Sequence, residues 1–153
     1  MEVADVKRRK HLLLLVSLLC TACSKPVPTI LFVLSNKDQG VFFIREDPLN
    51  GAPVRRVENK IEIRVTKGGI VDLQETEFLY SWHRMAVLWE ADGTVRLQTS
   101  EEQCKDDTWG CWELASVPGG VYYYAGTYKN KTALDKIERP SELKGYLLAP
   151  RNN

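Results

Sequence analysis

A chain of 153 residues with 21 Lys and Arg against 20 Asp and Glu has a formal charge of +1, and 44% of it is hydrophobic. That length supports one domain with a real core but not two of ordinary size. The balanced charge, and the lack of any basic run interleaved with aromatics, argue against a nucleic-acid partner.

The first element in chain order is an apolar run from Leu12 to Leu19, preceded by Lys7, Arg8, Arg9 and Lys10 and ended by Ser24, Lys25 and Pro26. A charged start, a short apolar stretch and small residues after it form the layout of an export signal. The run is too short to span a bilayer, which takes about 20 apolar residues. Within it, "LCTAC" at 19–23 resembles the lipobox of bacterial lipoproteins, where small residues precede a Cys that is acylated before the signal is cut. The resemblance implies Thr21 and Ala22 in the small positions, and Cys23 as the lipid-bearing first residue of the mature chain, with palmitate as the expected acyl type. Cys20 departs from the pattern by standing where Leu is usual; acylation at Cys20 would put Leu18 and Leu19 in the small positions, a poorer fit. Ser24 in place of Asp after the Cys is similar to lipoproteins forwarded to the outer membrane, facing the periplasm. The expected organisation is a signal over 1–22, a lipid-anchored linker over 23–29 kept extended by Pro26 and Pro28, and one β-rich domain over 30–153. Cleavage removes four of the basic and two of the acidic residues, leaving 17 against 18 in 131 residues and a formal charge of −1.

Strand signals dominate the remainder. "TILFVLS" and "VFFIRE" flank the polar cluster "NKDQG" and read as a hairpin. "KIEIRV" alternates Ile61, Ile63 and Val65 with Lys60, Glu62 and Arg64, the period of a strand with one wet face. "KGG" is a turn before "IVDL", and Asp92-Gly93 divides "MAVLWEADGTVRLQT" into a second hairpin. Pro118, Gly119 and Gly120 precede an aromatic strand holding Tyr122, Tyr123 and Tyr124. "TALDKIERP" is a short helix, with Thr132 as its N-cap and Pro140 as its stop.

The stretch 75–90 carries two patterns. Phe78, Leu79, Trp82, Met85, Ala86 and Trp89 recur at helical spacing, whereas dense β-formers favour strands from about 78 to 90 with a break near His83 and Arg84. The strand reading is preferred; the helical one would make the fold α+β. With some seven to nine short strands, the expected class is mainly β, a small antiparallel sandwich or barrel with a short C-terminal helix.

Cys104 and Cys111 enclose "KDDTWG", and in an oxidising compartment such a pair is expected to form a disulfide. For so short a loop the bond would stabilise the fold by roughly 2–3 kcal/mol. His83, the one histidine after cleavage, is too little for a metal site or a hydrolytic triad, and Ser81 lies outside any nucleophile-elbow motif. Glu75 and Glu77, or Glu101 and Glu102, read as solvated loop charges. No phosphate or dinucleotide motif occurs, so neither enzymatic activity nor a cofactor or metal is expected.

Binding is then the expected function, and the residues suited to it are Asp106, Asp107, Trp109, Trp112 and Tyr123. Trp and Tyr bury much area yet keep a hydrogen bond, as interaction hot spots require. In this reading Trp82 and Trp89 belong to the core, and Trp109 to the surface. In size, address and cysteine use the chain resembles immunity lipoproteins that accompany secreted effectors, including those of type VI secretion. That resemblance implies a protein partner, a toxin or hydrolase, blocked by a protruding loop. The other expectation is an accessory structural lipoprotein within an envelope or secretion complex.

Overall fold

Phe32 and Phe42 pack across the molecule with ring centroids 5.1 Å apart, and Tyr123 meets both, at 4.8 and 5.5 Å. In this computed structural model, which describes residues 26–35, 39–98 and 100–148, those rings come from two sheets that enclose one core. The described strands are β1 (Thr29–Leu34), β2 (Gly40–Glu46), β3 (Arg55–Val57), β4 (Lys60–Arg64), β5 (Ile70–Leu73), β6 (Arg84–Trp89), β7 (Thr94–Leu97), β8 (Trp109–Val117) and β9 (Gly120–Thr127), followed by the helix α1 (Tyr128–Leu134). One sheet has the order β3-β4-β1-β6-β7 and the other β5-β2-β9-β8. The fold is the small, mainly β sandwich expected from the strand count, with a short helix near the C-terminus. The export signal, Cys20 and Cys23 lie outside the described residues.

The sheets are mixed, because β1 runs parallel to both β4 and β6, and β2 parallel to β5. The sequence of β1 explains its central place. Ile30, Phe32 and Leu34 face the core, and Val33, on the opposite face, is buried as well. A strand apolar on both faces suits the middle of a sheet, between parallel neighbours.

The expected hairpin of β1 with β2 does not form. Each run goes to a different sheet, and the two strands meet face to face through Phe32 and Phe42 rather than edge to edge. Alternation specifies which side of a strand is apolar; it does not name the strand that lies beside it. The second hairpin does form: β6 pairs antiparallel with β7, Gly93 adopts φ +66°, and Asp92 Oδ1 accepts the Thr94 amide at 2.9 Å.

Neither pattern read over 75–90 holds throughout. Glu77–Tyr80 is a 3-10 turn, and β6 starts only at Arg84. The C-terminal helix comes earlier than "TALDKIERP": α1 follows directly from β9, and Pro140 opens a 3-10 turn, Pro140–Tyr146, instead of stopping a helix. Packing explains the shift. Leu143 and Leu134 close over Val41, Trp112, Tyr122 and Tyr124 on the outer face of the four-stranded sheet, forming a second apolar cluster.

Candidate functional site

The sandwich has two distinct ends. Pro28 O accepts the Arg84 amide at 2.9 Å, and Val27 O accepts Asn59 Nδ2 at 2.8 Å, so the starts of β1 and β6 meet the β3–β4 turn where the chain enters the domain. At the far end Leu34 pairs with Trp89, whose ring meets Trp109 edge-on at 5.7 Å. Six residues of β1 at about 3.3 Å each separate the ends by roughly 20 Å. Trp109 opens β8, so the loop before it lies at the end away from the chain entry.

That loop is held in place from several sides. The Lys105 amide donates to Thr108 Oγ1 at 2.8 Å and the Thr108 amide to Lys105 O at 2.9 Å, closing a turn. The Tyr128 and Lys129 amides at the start of α1 donate to Thr108 O at 2.8 Å and Asp106 O at 3.1 Å. Lys131 is 5% exposed and bonds both Glu101 and Asp135 at 2.7 Å. Its burial alone would lower its pKa, but the bonds from those two carboxylates outweigh that and raise it. A buried ammonium thus fastens α1 to the segment leading into the loop.

On this support Asp106 and Asp107 are exposed, and among the described residues neither takes part in an ion pair. The other expected contact residues are not brought together with them. Trp109 is half-buried against Trp89. Trp112 is 1% exposed in the outer cluster, stacked on Tyr124 at 6.3 Å, and Tyr123 is fully buried in the inner core. The reason is that β9 lies between β2 and β8 with both faces covered, so an alternating aromatic strand has no wet side.

The Tyr123 hydroxyl has no hydrogen-bond partner among the described residues, and burial pushes its pKa up. Tyr123→Phe is therefore expected to raise stability by about 1 kcal/mol, since it removes a desolvated group that gains nothing in return. A urea titration showing a lower midpoint for the variant would refute this.

The expected disulfide is also corrected: Cys104 and Cys111 are not joined. Cys111 points into the inner core, whereas Cys104 packs against the outer cluster and its thiol donates to Ser100 O at 3.5 Å. The sheet itself keeps the two sulfurs apart. Burial raises the Cys111 thiol far above its ordinary range, so it stays protonated and unreactive. Thermal unfolding with and without dithiothreitol is expected to give the same midpoint; a drop of several degrees in reductant would contradict it.

Sequence reasoning missed two exposed aromatics. Trp82, assigned to the core, is 82% exposed, and Tyr80 is 57% exposed. They rim an open cleft of about 460 Å³ with Leu79, Met85, His83 and Glu113 around it. The signal available was the change of pattern at Ser81, where a 3-10 turn ends and the next strand has not begun. His83 Nδ1 lies 2.6 Å from Ser81 O; because a carbonyl only accepts, Nδ1 carries the proton. The Ser81 hydroxyl donates to Phe78 O at 2.9 Å. Glu75 pairs with Arg56 at 2.7 Å. No cluster of His, Cys, Asp and Glu suited to a metal ion occurs among the described residues, and none of their helices is long and apolar enough to cross a membrane.

The chain matches no protein-family model and no curated protein. Among solved structures it is similar to one described as "Putative Lipoprotein from Bacillus anthracis", with a TM-score of 0.39 and 7% identity over 82% of this chain and 84% of that one.

Proposed function

We propose that this is an exported, lipid-anchored envelope protein that captures a protein partner with the loop at its tether-distal end and neutralises it, as an immunity protein or inhibitor of a toxic effector or hydrolase does. The observation that carries this reading is the placement of Asp106 and Asp107, exposed on a pinned loop at the end opposite the chain entry. A loop ordered before binding loses little entropy on contact. Carboxylates without an ion-pair partner steer a basic cleft towards it and raise the association rate. The export address rests on the lipobox resemblance around Cys23.

The test is contact competition on solid medium between a secretion-competent parent and a strain lacking the gene. The deletion strain is expected to lose viability beside the parent and to be rescued by the wild-type gene. Asp106→Lys with Asp107→Lys, present at equal abundance, should not rescue. Equal survival of the deletion strain would overturn the proposal.

The accessory structural reading draws on β7, an edge strand whose Val95 and Leu97 are 55% and 66% exposed. A detergent-resistant association with other envelope proteins in the absence of any toxin would favour it.

A further inference from the structure

Three features meet at the tether-proximal end. Pro26, the first described residue there, stands three positions after Cys23, and the chain joins β6 through Pro28 O and the Arg84 amide. Trp82, two residues before Arg84, Tyr80 and Val57 are exposed at this end, at 82%, 57% and 48%, as are Leu49 beyond the end of β2 and Leu97 at the end of β7, at 89% and 66%. Lys60 and Arg84 flank Thr29 in register, and so share the outer face of the five-stranded sheet; among the described residues neither has an ion-pair partner. The neighbouring Arg56 is taken up by Glu75, while Glu58 and Glu77 are exposed on the same end.

We infer that this end rests on the phospholipid bilayer surface, with Trp82 and Tyr80 seated at headgroup level and Lys60 and Arg84 against anionic headgroups. The inference depends on the lipid-anchor reading of Cys23, not on the partner reading of the distal loop. An acyl chain on Cys23 would hold the entry end within a few residues of the membrane. Trp and Tyr, with an apolar body and a polar handle, are the side chains favoured at that depth. Basic residues near an anionic surface add attraction that salt screens. Docking this end would leave Asp106 and Asp107 about 20 Å further out.

The test uses the mature acylated protein, purified from membranes and reconstituted into phosphatidylglycerol-containing vesicles, with and without brominated acyl chains. Mass spectrometry first establishes the acyl group on Cys23. Brominated lipid is expected to quench about a quarter of the emission, one of four tryptophans, because Trp89, Trp109 and Trp112 lie deeper or at the far end. Trp82→Phe should abolish the quenching with the circular dichroism spectrum unchanged, and Lys60→Glu with Arg84→Glu should weaken it. Acylated protein whose emission ignores brominated lipid would overturn the docking alone. Protein without acyl at Cys23 would overturn the tether and the docking together. Unquenched acylated protein combined with loss of competition rescue by Trp82→Ala would assign Trp82 to the protein partner instead.

Discussion

Phe32→Ala is expected to remove about 3–5 kcal/mol of stability, the usual cost of emptying a buried aromatic site. Phe32 has no exposed surface and lies mid-strand in β1, the central strand of its sheet. Its ring touches both Phe42 and Tyr123, from two neighbouring strands of the opposite sheet, so the cavity would open at the contact that joins the sheets. The surrounding strands are held in register on both sides of β1 and cannot collapse into the gap without breaking their ladders. Against a total of about 5–15 kcal/mol for a domain of this kind, such a loss is a large share of the stability. Phe32→Leu keeps most of the volume and should cost far less, about 1.5 kcal/mol. Urea titrations of the three proteins give the result directly. A midpoint for Phe32→Ala within error of the wild type would mean that the two sheets are not joined through this ring.

The second large effect is at a glycine. Gly126 in β9 has φ +151°, which side chains rarely adopt, and a Cβ there would collide with the Tyr124 hydroxyl and with Gln39 Cγ, and lie 2.6 Å from Tyr124 Cζ. Tyr124 cannot swing aside freely, because its ring is buried and stacked on Trp112. Backbone strain and overpacking add, so Gly126→Ala should cost about 3 kcal/mol or more. Gly93→Ala supplies the control. Its φ is +66°, but a Cβ there meets nothing within 4 Å, which leaves only the left-handed backbone cost of about 1 kcal/mol. Equal losses at the two positions, read from thermal or urea unfolding, would show that the crowding around Tyr124 is not real. Since Thr127 and Tyr128 follow at once and Tyr128 bonds Thr108, Gly126→Ala should also loosen the acidic loop.

Several elements were legible without coordinates because they depend on neighbours in the chain. The alternation of Ile61 and Ile63 placed β4, Asp92-Gly93 placed the turn between β6 and β7, and the strand count pointed to a small sandwich or barrel, of which the two separate sheets are the sandwich. The candidate site was legible in part: Asp106 and Asp107 are exposed, as polar turn residues should be. The aromatics were harder. A Trp is compatible with a core or with a wet turn, and the choice depends on what stands opposite. Trp112 has Tyr124 and Leu143 over it, whereas Trp82 has little.

By itself the sequence determined a mainly β chain, the turn at Asp92-Gly93 and the alternation of the strands, and through its resemblance to a lipobox it supplied an expected address. These depend on φ preferences and on periodicity, which act over a few residues. Only the tertiary structure decided that β1 and β2 belong to different sheets, that Cys104 and Cys111 lie on opposite faces of one sheet, and that Trp82 is exposed near the chain entry while the acidic loop lies at the far end. Those outcomes depend on which distant surfaces cover which, and burial is a property of the pair of surfaces rather than of either segment.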